Sequence, residues 1–208
     1  SLRKWNVDLN MVNFNCPFRP GILNLINMSV KGCSRWTNLL KDRYVSENTR
    51  KLENKWNERL GALQDISFWN DSYRKVKDIF FNNKLKWFHY QIVRGTLKTN
   101  RIVSKFKDNV KEECTFCDTE SETILHLFWD CKQVENFILS VQNYAKQFFP
   151  DLMPNITKKE FIFGKRIEQI FSRTNYFVLH LKYFIWICRC KKNQLSLQNF
   201  KSWLIFEA

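Results

Sequence analysis

Glycine and proline are scarce in this 208-residue chain, which contains five glycines and four prolines. Turn-rich all-β folds use these two residues to reverse the chain, so their scarcity disfavours such folds and favours helices. Hydrophobic residues make up 44% of the chain, including 19 phenylalanines and 8 tryptophans, which is enough to build a core. We therefore expect an all-α fold.

The chain also lacks a hydrophobic run as long as a membrane span, which needs about 18 residues. The apolar stretch 176–190 is interrupted by His180 and Lys182. The first residues do not resemble a signal peptide, and an odd total of 7 cysteines does not suggest a disulfide framework. We expect a soluble protein without a membrane partner, in the reducing interior of the cell, in cytoplasm and nucleus.

The sequence does contain one compact group of residue types that bind metals. Cys114 and Cys117 are separated by two residues, and His126 and Cys131 follow within the next fourteen positions. A Cys-x-x-Cys turn points both thiolates at one centre, and a second pair from a helix completes a tetrahedron. The pattern predicts a Cys3His site for Zn²⁺, and because such a set leaves no open position, the metal is expected to be structural.

The alternative is that these residues are buried, reduced cysteines without a metal. The sequence between them favours the metal site, because it also has the features of a short helix. Ser121 is a good N-cap, and Glu122 then falls in the first helical turn. An apolar helical face follows, formed by Ile124, Leu125, Phe128 and Trp129.

Charge is the second informative feature, because 34 lysines and arginines face 20 acidic residues, giving a net charge of +14. Between Lys84 and Lys111 there are eight basic residues and one acid, whereas 114–131 has four acids and no lysine or arginine. Cations interleaved with aromatic side chains are typical of nucleic-acid binding, although lysine-rich helix faces are often only solvated. The predicted nucleic-acid-binding residues are Lys84, Lys86, Trp87, Arg94, Lys98, Arg101, Lys105, Lys107 and Lys111.

Apolar spacing divides the chain into four segments: an irregular linker or domain edge (1–33), a basic helical segment (34–113), the zinc-binding motif (114–131) and a C-terminal helical segment (132–208). The predicted helices cover about 34–44, 52–60 before Gly61, 68–80 with Ser67 or Asp65 as cap, 84–93 before Gly95, a short helix capped by Thr99, 134–148, 166–192 and 197–206. The Phe-Ile-Phe segment 161–163 is too short to assign.

Other histidines, cysteines and tryptophans have simpler interpretations than ligand binding. His89 and His180 lie in apolar helices and are expected in the core or on the surface. Cys188 and Cys190 point about 200° apart around a helix, so joint metal binding is disfavoured. Cys16 and Cys33 have no histidine nearby and are interpreted in the same way. Trp56, Trp69 and Trp186 are expected in the core, whereas Trp87 is equally consistent with packing and with base stacking.

These residues also carry a resemblance to a known family. The chain resembles the C-terminal region of LINE-type (non-LTR) retrotransposon reverse transcriptases, over about 35–206. The matching blocks are Lys55-Trp56-Asn57-Glu58 with Phe68-Trp69, the basic stretch 84–100 with its Arg-Gly-x-Leu-x-Thr-Asn turn, the Glu-Thr-x-x-His-Leu-Phe-x-x-Cys signature at 122–131, and Lys182-Tyr183-Phe184-Ile185-Trp186 with Arg189. The chain departs from the pattern at Ile138, where many relatives place tryptophan, and over its first 34 residues.

The resemblance implies a zinc-stabilised region that binds template RNA or target DNA beside the polymerase domain of the same polyprotein, during target-primed reverse transcription. Nothing in the chain resembles the polymerase or endonuclease motifs, so we expect this region not to be catalytic. One alternative is a zinc-stabilised protein-interaction module of a retrotransposon-derived protein. Another is a zinc enzyme with Glu122 as its base, which the closed ligand set disfavours.

Overall fold

The computed structural model describes residues 50–77, 82–148, 156–165 and 173–207. The chain divides into two units, Ser1–Thr49 and Arg50–Ala208, and every described residue lies in the second. The predicted linker 1–33 and the helix predicted at 34–44 lie outside the described residues. So do Ile79 and Phe80, at the end of the helix predicted at 68–80, and positions 166–172, at the start of the helix predicted at 166–192.

Helices are the dominant element of the described residues, and no strand occurs among them. They are α1 (50–60), α2 (Ile66–Lys77), α3 (Asn83–Val93), α4 (Asn100–Val103), α5 (Lys132–Phe148), α6 (Lys158–Phe163), α7 (Arg173–Lys191) and α8 (Leu197–Glu207), with a π-helical turn at His126–Asp130. Glu113 and Ser121 form an isolated antiparallel bridge. The all-α prediction is confirmed.

Helix ends follow the chemistry of the residues found there. Gly61 and Gly95 both have a φ of +66°, a backbone conformation that glycine adopts without strain, and each ends a helix as predicted. Asp65 caps α2, because its Oδ1 accepts the Phe68 N–H at 2.8 Å, so of the two predicted caps Ser67 is the wrong one. Asn82 caps α3 through two backbone N–H groups.

The core forms around α3, which contacts α2, α6 and α7, while α5 contacts the π-helical turn and α8. Phe163 of α6 is fully buried, and its ring packs edge-on against Trp56, Phe68 and Trp69. The segment 161–163 is therefore a central part of the core. A capping box of Thr157 and Glu160 begins this helix of only six residues.

The interpretations of single residues are largely confirmed. Trp56, Trp69, His89 and His180 are buried, and Cys188 is buried while Cys190 is exposed, as their opposite directions required. Trp186 is only half-buried, and the Arg189 guanidinium lies 4.9 Å from its ring centroid. Among the described residues, no helix combines the length and apolarity that crossing a membrane requires.

The core contains a buried lysine, and burial lowers the pKa of this lysine and of a neighbouring histidine. Lys182 is fully buried, and its Nζ donates a hydrogen bond to the Ile162 carbonyl at 2.9 Å. Burial, with a smaller contribution from the charge of Lys75, lowers the pKa of Lys182 to about 7. Burial and the charge of Lys182 likewise lower the pKa of His89, so that histidine is neutral at physiological pH.

We expect the stability of the protein to rise with pH because of Lys182. Between its folded pKa of about 7 and its ordinary value of 10.5, the unfolded chain binds the proton more tightly. The free energy of unfolding should therefore increase by up to about 1.4 kcal/mol per pH unit in this window. Urea titrations of the wild type and of Lys182→Met at several pH values would measure the difference, and identical pH slopes would contradict the assignment.

Candidate metal centre

Three sulfurs and one ring nitrogen meet in the described structure. The ligand atoms of Cys114, Cys117, His126 and Cys131 all lie within 4.8 Å of one another. Cys114 Sγ lies 3.9 Å from Cys131 Sγ, and Cys117 Sγ lies 3.3 Å from His126 Nε2. A tetrahedral zinc ion separates two sulfurs by about 3.8 Å and a sulfur from a nitrogen by about 3.5 Å. The four predicted residues therefore fit one zinc ion.

The first two ligands come from a tight loop, 113–121, which the isolated bridge closes and which is called the metal loop below. Across it, the Cys114 N–H donates to the Glu120 carbonyl at 2.7 Å. The Asp118 N–H returns to the Cys114 carbonyl at 2.9 Å, and Asp118 has a φ of +53°, which turns the chain sharply after Cys117. The Phe116 N–H donates to Cys114 Sγ at 3.5 Å. Such N–H donors stabilise a thiolate, the form that binds zinc.

The second pair of ligands depends on the π-helical turn. In an α-helix, residues five apart are rotated by about 500°, which leaves them about 140° apart around the axis. Here the Cys131 N–H donates to the His126 carbonyl at 2.9 Å, an i to i+5 bond that widens the turn. Five residues then make close to one full turn, which brings Cys131 back to the side of His126.

The helix start differs from the predicted one. The His126 N–H donates to Thr123 Oγ1 at 2.9 Å, so Thr123 caps this helix and not Ser121. Ser121 instead belongs to the bridge with Glu113, and Glu122 precedes the helix. The prediction was wrong because the Glu122 N–H donates to the Glu112 carbonyl at 2.8 Å beside that bridge, so the helix begins only after Thr123.

The surroundings of His126, Cys114 and Cys131 favour the protonation states in which these side chains bind a cation. Glu120 Oε2 lies 3.1 Å from His126 Nδ1, without the geometry of a hydrogen bond, and its negative charge favours a proton on Nδ1, which leaves Nε2 for a metal. The hydrogen bond between the two sulfurs raises the pKa of Cys114 and lowers that of Cys131 to about 5. A divalent cation bound here would require both sulfurs as thiolates, so its binding would release protons.

Glu122 joins the metal loop to two distant segments. Its side chain is 0% exposed. One carboxylate oxygen accepts the Asn100 N–H at 2.7 Å and both Arg189 Nε and Nη2, at 3.0 and 2.8 Å. The other accepts the N–H and hydroxyl of Thr115 at 3.0 and 2.9 Å. Five donors occupy this carboxylate, so it has no capacity to act as the base of a zinc enzyme.

The side chain of Asn100 reinforces the same junction. Its Nδ2 donates to the Glu113 carbonyl at 2.7 Å and to Thr115 Oγ1 at 3.2 Å, and its Oδ1 accepts from Arg189 Nη2. Thr99 occupies the N-cap position of α4, as predicted, but its side chain makes no capping bond. Glu122 satisfies the first N–H of that helix instead. Sequence analysis did not assign a role to Asn100, Thr115 or Arg189.

The predicted nucleic-acid-binding residues are distributed along the surface of one continuous segment. Lys84, Lys86 and Trp87 lie in the first half of α3, and Arg94, Lys98 and Arg101 lie around the turn to α4, about 15 Å further along. Lys105, Lys107 and Lys111 lie between α4 and the metal loop. All nine are exposed except the half-buried Lys86 and Arg94. Whether they bind nucleic acid stays a prediction.

Arg59 joins this segment, although sequence analysis missed it. Its Nη1 lies 3.9 Å from the position that a Cβ on Gly95 would occupy, at the turn between α3 and α4. Burial and, to a smaller extent, the positive charge of Arg101 lower the pKa of Arg59. The Cζ of Arg59 also lies 5.3 Å from the ring centroid of Trp56. Arg59 lies in α1, 35 positions before Arg94 in the sequence, so no local pattern connects it with the basic stretch.

Comparison with known families agrees with this geometry. Residues 41–137 match the family zf-RVT, described as zinc-binding in reverse transcriptase. The match supports a reverse-transcriptase-associated zinc-binding domain, which is an accessory domain and not a catalytic one. It covers all four metal-site residues and the basic stretch, but less than half of the chain. Neither the curated proteins nor the solved structures include a significant match.

We expect Cys117→Ser to abolish metal binding and to unfold the metal loop. A structural zinc ion contributes roughly 10–16 kcal/mol in small folding units, more than the usual net stability of a domain, about 5–15 kcal/mol. Metal analysis should find one zinc per wild-type chain and none in the variant, with a lowered melting temperature. Cys190→Ser is the matched control, since Cys190 is exposed and outside the cluster. A variant that keeps both zinc and melting temperature would refute the ligand assignment.

We expect Glu122→Gln to destabilise the zinc-loaded protein by about 3–5 kcal/mol, because it leaves the guanidinium of Arg189 partly buried without its counter-charge. Urea unfolding would measure the loss. Glu135→Gln serves as control, because Glu135 forms an exposed ion pair with Lys132 and should cost less than about 1 kcal/mol. Equal effects of the two substitutions would show that the buried junction contributes little.

Proposed function

We propose that this chain is a zinc-stabilised, nucleic-acid-binding region of a non-LTR retrotransposon reverse transcriptase. In this proposal Cys114, Cys117, His126 and Cys131 hold one structural Zn²⁺. The region binds template RNA or target DNA and positions it for the polymerase domain of the same polyprotein during target-primed reverse transcription. It does not itself catalyse a reaction.

The observation that carries the proposal is the bond between the metal loop and the basic segment. Glu122, four residues before the ligand His126, accepts the N–H of Asn100 at 2.7 Å. Asn100 begins α4, so Arg101 and the turn carrying Arg94 and Lys98 are held in place by the metal loop. Cations whose backbone is held in this way suit phosphate binding, because a fixed side chain loses less conformational entropy when it binds an anion.

The role of the metal is to fix this arrangement. When bound, zinc supplies a rigid tetrahedral crosslink and no reactive group, because protein ligands fill all four positions. The chain's own residues then do the binding. The acidic segment 114–131 carries no lysine or arginine, so in this proposal the flanking basic residues contact phosphate and this segment does not.

The protein-interaction alternative has one supporting observation. An apolar groove of about 580 Å³ lies between α5, α7 and α8, lined by aromatic side chains that include Tyr144, Phe148, Tyr176 and Phe177. A partner protein bound there would depend on apolar burial, so its affinity would respond little to salt. Nucleic-acid binding through the basic segment responds steeply to salt, which separates the two functions.

We expect Arg94→Ala to weaken nucleic-acid binding equally for all sequences. The slope of log K against log salt concentration should also become shallower by about one. Fluorescence anisotropy with an RNA stem-loop and a matching DNA duplex across a salt series would measure both. Lys146→Ala, an exposed cation of α5 outside the basic segment, is the control. A loss confined to particular base sequences would indicate base recognition and contradict a backbone contact.

A further inference from the structure

Two aromatic side chains on α3 face away from the core. Trp87 is 61% exposed and Tyr90 is 39% exposed. Residues three apart are neighbours on a helix surface, and the two rings stack with centroids 5.3 Å apart and planes inclined by 19°. The opposite face of α3 supplies the buried Leu85, Phe88 and Ile92. The Trp87–Tyr90 pair therefore contributes a flat aromatic surface without contributing to the core.

Cations flank this aromatic pair along the same helix. Lys84 precedes Trp87 by three positions and is exposed, and Arg94 follows Tyr90 by four positions at the C-cap. These spacings place all four side chains on one side of the helix. The eleven residues of α3 include no acid. A surface with an aromatic centre and positive ends is complementary to a polyanion that also presents planar rings.

Single-stranded nucleic acid meets both requirements. In a duplex the base faces are covered by stacking, so that only the base edges are accessible in the grooves. An unpaired nucleotide offers its whole face, and stacking on an aromatic side chain tolerates any sequence. The distance from Lys84 to Arg94 along the helix is roughly 15 Å, which spans a few phosphates of one strand.

We propose that the Trp87–Tyr90 pair is a stacking platform for an unpaired base, with the adjoining phosphates held by Lys84 and Arg94. The inference rests on the proposed nucleic-acid binding and deepens it, because it names the ligand as a single strand. Tyr90 supports the indole of Trp87 from one side, and the base stacks on the free side of the indole. Nothing in this arrangement reads base identity.

The test compares single strands with a duplex. Fluorescein-labelled oligouridine, oligothymidine and a DNA duplex of the same length would be titrated with zinc-loaded wild type, Trp87→Ala and Trp87→Phe. We expect Trp87→Ala to weaken binding of at least one single strand about tenfold or more and to change duplex binding less than about twofold. Trp87→Phe should retain most of the affinity, because the ring is kept. The salt slope should stay unchanged, since no cation is removed.

Phe148→Ala is the matched control, because Phe148 is also an exposed aromatic residue, 60% exposed, at the end of α5. It should leave all three affinities unchanged, and thermal melting should confirm that each variant is folded. If Trp87→Ala weakened the affinity for single strand and duplex equally, or weakened neither, the stacking platform would be overturned. Binding by the wild type would in that case still support the proposed function. Absence of wild-type binding at low salt would instead refute the proposed function itself.

Discussion

The described structure depends on the burial of one carboxylate. Glu122 is removed from water, and an isolated charge in such a place would be very costly unless it is paired and hydrogen-bonded. Asn100, Thr115 and Arg189 satisfy that requirement, and they come from three separate parts of the chain. The start of α4, the metal loop and the end of α7 must therefore meet at one point. Because the start of α4 must reach Glu122, the basic residues beside it, Arg94, Lys98 and Arg101, are held next to the metal loop.

The metal site and the buried carboxylate support each other. Buried ion pairs are weak sources of net stability, because desolvation offsets much of the attraction. The loop 113–121 is short and contributes few apolar side chains, so it also cannot stabilise itself by burial. A zinc ion held by the three thiolates and the histidine would supply the missing free energy. Such an ion would also fix Cys114 and His126, and with them Thr115 and Glu122, at the spacing that the junction requires.

Sequence alone predicted what local patterns encode. Ligand spacing identified Cys114, Cys117, His126 and Cys131, and apolar periodicity identified most of the described helices. Glycine geometry placed the ends at Gly61 and Gly95. The junction was not predicted, because Glu122 meets Arg189 across 67 positions and Asn100 across 22, and such pairings leave no local pattern. The π-helical turn and the Thr123 cap were missed for a related reason, since ligand geometry and the bridge overrule the usual helix signals.

The most direct test of this account is amide hydrogen exchange before and after zinc is removed with a chelator. Neither Asn100 nor Thr115 coordinates the metal, yet their N–H groups donate to the carboxylate that the metal loop positions. The account predicts that both amides lose protection when zinc is removed, while the amide of the buried Ile185 in α7 still exchanges slowly and reports a folded core. Unchanged protection of Asn100 in the zinc-free protein would contradict it, because the basic segment would then be held without the metal.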